Sequence, residues 1–333
     1  MMYSIQCGLK QFTILFLFLV NQGPISTHAL ASVNQPSTIR AASLFSGHAK
    51  SRASPTKNSA VLTYLEINGW ILSMGGLTIL IDPILEGNLD FGIPSLYQGK
   101  KRVLPGNGLI ESLPPIDCLL ITQGLDDHAH VRTLQKLQTL DPDLPILAPL
   151  FAKGALEESG FDNPQYLKHS EEAIIQSRGN TASTCSSVRV RATKGALVGP
   201  PWQRRENGYI LRGSSESQSS LLPSIYIEPH VEFNAQELSE LGPVDVVISP
   251  ISGQTLPAFE LVHGPKDTMR LVETLQPQYL VPMQNGDIDT EGPVSRIVSE
   301  IGSSRDFERR LSSSNLNTEL VKLVPGEDIE ISL

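Results

Sequence analysis

Four ionisable side chains fall within five positions, at Asp126, Asp127, His128 and His130. Carboxylates and imidazoles so closely spaced hold a divalent cation or pass a proton between them. They follow an apolar run, Cys118 to Ile121, flanked by Asp117 and Thr122 and broken at Gly124. That run reads as a buried strand. The segment after the cluster reads as a helix, with Val131, Leu134, Leu137 and Leu140 at a spacing of three. An α/β protein places its chemistry at such a junction, because strand ends open into the crevice between layers.

The elements that must position the cluster come from both sides of it. Val61 to Ile67, Trp70 to Met74 and Leu77 to Ile81 read as strands, with Asn68-Gly69 as a hairpin pair. Residues 86–115 are rich in Gly and Pro and read as a long loop. A helix is expected near Phe151 to Ser159, then strands at Ser187 to Ala192, Gly208 to Leu211, Ser224 to Ile227 and Val244 to Ser249. His263 to Thr274 reads as a helix opened by Gly264-Pro265, and Tyr279 to Met283 as a strand. Residues 302–316 read as a polar stretch, and Leu320 to Leu323 with Ile329 to Leu333 as a last hairpin. Two sheets covered by helices, in one domain over residues 61–333, fit this order.

The apolar fraction of 40% suits a sizeable core. The formal charge of −9 gives no basic field for a nucleic acid. No Asp or Glu precedes Glu66, whereas Lys10, Arg40, Lys50, Arg52 and Lys57 do. Residues 1–60 therefore read as a targeting presequence, disordered and apart from the fold. Their acid-free, Ser- and Arg-rich composition points to a chloroplast transit peptide. A short apolar run, Ile14 to Val20, followed by Ala29-Leu30-Ala31, offers the alternative of a secretory signal within residues 1–31. That run is too short to span a bilayer, so no integral membrane segment is expected in the mature protein. Of the three cysteines, Cys118 reads as a buried thiol, and Cys7 and Cys185 form no metal-binding pair with it.

From residue 63 to about 290 the chain resembles the metallo-β-lactamase superfamily. It looks most similar to the branch of ascorbate-phosphate lactonases and N-acyl-phosphatidylethanolamine phospholipase D enzymes, as a plant plastid-type member. The resemblance rests on Ile79-Leu80-Ile81-Asp82-Pro83, on Pro115 to Thr122, on Asp245 to Pro250 and on Pro277 to Met283. It implies a four-layer αββα sandwich. It also implies a metal motif of the form His-x-His-x-Asp-His, which is degenerate here. Gln123 and Leu125 stand at the two leading histidines, Asp127 and His128 match the final pair, and Gln284 stands at the last histidine. A residual site would draw on Asp127, His128, His230, Glu228 and Gln284, with Asp127 and His128 as the catalytic pair. It would hold one Zn or other divalent cation, or none.

Two main functions follow, beside a third, metal-free acid/base catalysis by Asp127, His128 and Glu228. One is a residual mononuclear hydrolase of an ester, lactone or phosphodiester. The other is a non-catalytic descendant that binds a small molecule or a protein through the same crevice. Plainer readings stand beside the site residues. Asp126 reads as a helix cap, and Asp127 as either cap or ligand. His128 reads as a ligand or as a core histidine bonded to Asp127, and His130 as a helix-surface group. Glu228 and His230 read as a loop pair or as replacement ligands. His263 reads as structural, His169 carries no role, and Trp202 is a candidate for the pocket wall. The substrate and oligomeric state are not encoded in these patterns.

Overall fold

The computed structural model describes residues 59–178, 187–198, 203–214, 222–257 and 259–333. The expectations for residues 1–58 and for Cys7, Cys185 and Trp202 lie outside them.

The chain opens with the antiparallel strands β1 (Ser59–Tyr64), β2 (Trp70–Met74) and β3 (Leu77–Ile81). Alternation sends Leu62, Leu72 and Ile79 to one face and Ile71 and Leu80 to the other. The first turn is not built on Asn68-Gly69 as expected. It spans Leu65 to Gly69, closed by Leu65 N donating to Gly69 O at 2.8 Å, and its left-handed residues are Glu66 (φ 64°) and Ile67 (φ 59°). The Glu66 carboxylate accepts the backbone N–H groups of Arg102 (2.8 Å), Val103 (3.1 Å) and Leu104 (2.6 Å). Those bonds hold a conformation that a non-glycine residue otherwise avoids.

The long loop from 86 to 115 contains β4 (Gln98–Lys100). β5 (Cys118–Leu120) leads through the ionisable cluster into α1 (Val131–Leu140), followed by β6 (Ile146–Ala148), α2 (Lys153–Glu158) and β7 (Gln165–Tyr166). Leu134 and Leu137 are buried on α1, but Leu140 is exposed. A spacing of three drifts around a 3.6-residue turn, so nine residues carry Leu140 to the side opposite Val131.

β8 (Glu172–Gln176), β9 (Ser187–Lys194), β10 (Asn207–Gly213) and β11 (Ile225–Ile227) begin the second sheet. Then come α3 (Ala235–Leu241), β12 (Val246–Pro250), β13 (Gly253–Leu256), β14 (Phe259–Val262), α4 (Pro265–Leu275) and β15 (Tyr279–Met283). The chain finishes with β16 (Asp289–Glu291), β17 (Ser299–Ile301), α5 (Ser304–Ser312), β18 (Glu319–Leu320) and β19 (Asp328–Ser332). The polar stretch from 302 thus contains a helix, capped by the Ser303 hydroxyl and anchored by buried Phe307 and Leu311. The expected last hairpin does not form. β18 adds in parallel to β15 and β19 adds antiparallel to β1, so the two strands close different sheets.

The sheets run β19-β1-β2-β3-β5-β6-β7 and β18-β15-β12-β11-β10-β9-β8. They face each other across one core that includes Trp70, Leu120, Val190, Tyr209 and Ile248. α1 and α2 cover the outer face of the first sheet, and α3, α4 and α5 that of the second. This is the αββα sandwich. Two small sheets, β14-β13-β17 and β16-β4, stand beside the sandwich. No helix among the described residues is long and apolar enough to cross a membrane.

Gly124 is the hinge between β5 and the ionisable cluster. A Cβ there would lie 2.3 Å from Phe151 O and 2.7 Å from Phe151 C, which are backbone atoms. Gly124→Ala should therefore cost about 1–3 kcal/mol through overpacking. By scanning calorimetry that is a fall in Tm of about 2–4 °C per kcal/mol. Gly154→Ala, whose Cβ would meet no atom, should hold or raise Tm.

Candidate metal centre

The centre lies where the ends of the two sheets meet. β3 ends at Asp82, a left-handed residue (φ 40°) followed by Pro83, with its backbone N–H donating to Leu120 O. Asp82 is buried. Its carboxylate accepts Thr122 N at 2.8 Å, the Thr122 hydroxyl, and His128 Nδ1 at 2.9 Å. Those bonds fix the His128 ring and turn Nε2 toward Asp127 and Asn68. Nε2 lies 3.2 Å from Asp127 Oδ2 and 3.1 Å from Asn68 Nδ2. The other Asp127 oxygen, Oδ1, is buried with no hydrogen-bond partner.

The second sheet supplies a matching half. Glu206 stands just before β10, Glu228 just after β11, and His230 two residues further on. His230 Nδ1 donates to Glu206 Oε2 at 2.8 Å, and Gln123 Nε2 donates to Glu206 Oε1 at 2.8 Å. The His128 and His230 rings have centroids 5.1 Å apart. Two backbone-directed bonds join the sheets at this edge, Asn207 N to Thr122 O (3.0 Å) and Tyr209 OH to Ile121 O (2.9 Å).

Asp127, His128 and His230 thus each offer a ligand atom within 4.8 Å of the others. The set fits a divalent cation. It has one carboxylate with an unpartnered oxygen, and two imidazoles each held at Nδ1 by a buried carboxylate. Glu206, Glu228 and His230 make a second group with the same spacing. In that group both Glu206 oxygens are already taken, so it supports His230.

Electrostatics agree with the geometry. Burial alone would push the His128 imidazole down, but the carboxylates of Asp127 and Asp82 outweigh it and hold the pKa well above the usual value. Burial opposes ionisation of Asp127 too, and the His128 and His230 imidazoles reverse that and hold its carboxyl low. Glu228 has no such partner. Burial and the neighbouring Glu206 push its carboxyl well above the carboxylate range, and its Oε2 has no hydrogen bond.

The sequence-predicted residues sort accordingly. Asp127, His128 and His230 come together. Glu228 sits behind His230 and accepts the His230 N–H at 3.3 Å. Gln284 ends β15, accepts Asp287 N through its carbonyl, and is not among the residues lining the adjacent cavity. Asp126 is not the cap of α1 as expected: His130 holds the cap position without a side-chain cap bond, and Asp126 accepts Val131 N (3.4 Å) and Phe91 N (3.1 Å) from a position five residues before the helix. His130 is not a surface group. It is fully buried, with Nδ1 2.8 Å from Thr133 Oγ1, because the loop from 85 to 90 folds over the start of α1. Asn68, Asp82 and Glu206 were not expected as site residues. Nor was His169, whose Nε2 donates to Glu206 O at 3.0 Å. His263 bonds Glu260 and accepts no role in the centre, though its N–H donates to His230 O. The Cys118 thiol is buried, and burial pushes it up to about 12.

Beside the centre lies a cavity of about 360 Å³, reached by Asp127, His230, Asn68 and Leu125.

The Beta-lactamase superfamily domain model matches residues 61–284. The UPF0173 metal-dependent hydrolase MK1542 of Methanopyrus kandleri is 24% identical over 279 residues, which is 81% of this chain and 99% of that protein. Igni18, a metallo hydrolase from Ignicoccus hospitalis, superposes with a TM-score of 0.55 at 15% identity over 83% of this chain and all of that one. The isothiocyanate hydrolase from Delia radicum gut bacteria gives 0.54 at 15% identity over 82% of this chain and 99% of that one. Both structural likenesses bear on the fold.

Burial, helped by the Arg132 guanidinium, pushes the His130 imidazole down to about 3. The unfolded chain takes up this proton at about 6.5. Stability should therefore fall as pH drops below about 6.5, by about 2 kcal/mol at pH 5 from this group. The measurement is denaturant unfolding of wild type and His130→Gln at pH 7 and pH 5. The wild type should lose more stability over that interval than the variant, and equal losses would refute the assignment.

Proposed function

We propose that this chain, which belongs to the beta-lactamase superfamily, carries a single-cation hydrolytic centre at Asp127, His128 and His230. The observation that carries the reading is the pair of buried carboxylates behind the imidazoles. Asp82 holds His128 Nδ1 and Glu206 holds His230 Nδ1. Such pairs fix ring orientation and raise ligand basicity in metal centres. A core histidine needs no carboxylate of its own, and here two carboxylates are buried to serve two rings that face one point. A bound divalent cation supplies Lewis acidity and a water of lowered pKa.

The chain's own residues supply the rest. Asp127 brings the negative charge. Gln123 and His169 hold Glu206 from two sides. Asn68 donates to Asp127 O at 3.1 Å and keeps the loop closed over the centre. The substrate class on this reading is an ester, lactone or phosphodiester.

A specific contact favours the second reading, a binding module without catalysis. Asn68 Nδ2 and Asp127 Oδ2 both meet His128 Nε2, so the ring nitrogen is satisfied without a cation.

Metal content separates the two. The full chain, after treatment with chelator and reconstitution with zinc, iron or manganese, should hold about one equivalent by elemental analysis. Asp127→Ala and His230→Ala should abolish retention. Asp82→Asn and Glu206→Gln should weaken it about 10- to 100-fold. Affinity should also fall as pH drops, because His128 must lose its proton to ligate. Retention below a tenth of an equivalent with every metal would leave the binding module. The acid-free head supports delivery to a plastid. A fluorescent fusion of residues 1–65 should then accumulate there, and secretion would refute that route.

A further inference from the structure

We propose that the cavity beside the centre selects an uncharged carboxylic ester with an apolar acyl group and turns away anionic substrates. The hydrolytic half of this statement rests on the reading above. The binding half stands on the cavity alone.

The cavity, about 360 Å³, has the size of a small-molecule site. Its walls come from the loop before β4, from the β13–β14 hairpin and from the segment around β16. Leu89, Phe91, Leu256, Leu261, Ile288 and Val294 are among its apolar lining residues. The aromatic wall is held in place. Phe91 is left-handed (φ 50°), its N–H is bound by Asp126 at 3.1 Å, and its ring packs on Tyr97 with centroids 5.7 Å apart. Asp126, the neighbour of Asp127 in the centre, therefore also fixes the wall of the cavity.

The charge around the cavity decides the rest. Arg102 is the one Lys or Arg lining the cavity among the described residues. Its guanidinium is already committed, Nε to Asp289 Oδ1 at 2.9 Å and Nη1 to Asp287. Asp127 and Glu300 line the same space. A phosphate or sulfate is recognised by an Arg fork or a free Lys. Here an anion would find a guanidinium that is already paired, and would lose its hydration against apolar wall. An uncharged acyl chain faces no such loss, and each methylene it buries should tighten binding about fourfold.

Hydrolysis fits the same field. One water adds across the ester, the acyl carbon–oxygen bond breaks, and the water oxygen joins the acyl carbon. The alcohol keeps one proton and the acid releases the other. The product carboxylate then carries a charge whose hydration is lost against the apolar wall, which favours its release.

The test uses the full chain with Nile red, an uncharged probe, and three competitors: methyl octanoate, methyl butanoate and octyl phosphate. Methyl octanoate should displace Nile red at least tenfold more strongly than either of the others. Leu261→Asp should weaken that displacement at least tenfold while metal content stays at the wild-type level. Leu256→Ser gives the same readout should the first variant fail to fold. Octyl phosphate binding as tightly as methyl octanoate, or displacement unchanged in both folded variants, would overturn the proposal. Turnover of p-nitrophenyl octanoate and bis(p-nitrophenyl) phosphate by the zinc-reconstituted chain separates the two readings. An ester that binds without turnover supports the cavity's selectivity and refutes the hydrolytic centre. Faster turnover of the phosphodiester overturns the selectivity and upholds the centre.

Discussion

The buried carboxylate of Asp82 is the interaction on which the rest depends. It lies at the end of β3 in a left-handed conformation that costs a non-glycine residue about 1–3 kcal/mol. Its two oxygens accept Thr122 N, the Thr122 hydroxyl and His128 Nδ1. Two of those bonds tie the residue after β3 to Thr122, two residues past β5. The third orients an imidazole six residues later. A buried carboxylate without such partners would take a proton or unfold the edge. One group thus joins strand register to ring orientation, and the strain at Asp82 is offset by bonds that a relaxed backbone would not aim correctly.

The second sheet repeats the device with different residues. Glu206 holds His230, and is itself held by Gln123, Nε2 to Oε1 at 2.8 Å. Gln123 occupies the position where the superfamily resemblance calls for a leading histidine. A glutamine amide is a weak cation ligand beside imidazole, but its N–H is a good donor to a carboxylate. In this structure the residue supports the proposed ligand His230 through Glu206. Its donor crosses from the end of the first sheet to the start of β10, so the same bond also locks the two sheets together at the edge where the centre lies.

Much of this was legible in the sequence, and the gaps have physical causes. The strand-to-helix junction, the buried Cys118 strand and Tyr279–Met283 carry strong local patterns, and all appear in the structure. Asp127, His128 and His230 were legible as residue types that bind cations, and they do converge. Glu206 was not, because it follows Arg204-Arg205 in an ordinary polar stretch and acquires its role only when β10 docks beside β5. Asn68 was assigned to a turn because Asn-Gly is the usual turn pair. The turn instead falls on Glu66 and Ile67, whose conformation is fixed by the distant N–H groups of residues 102 to 104. His130 looked exposed because helix periodicity says nothing about a loop folding over the first turn. α5 did carry a signal, Phe307 and Leu311 four apart, hidden by its serines and arginines. The final two strands look like a hairpin around Pro325-Gly326, yet each finds a separate open edge.

Leu125 connects the centre to its cavity. The resemblance puts a second ligand histidine at this position, and leucine offers no donor there. The side chain instead lines the cavity beside Asp127 and His230. On the proposed single-cation reading, a leucine at this position adds no ligand and places apolar wall directly beside the centre. One residue then bears both on the make-up of the proposed centre and on the character of the cavity next to it.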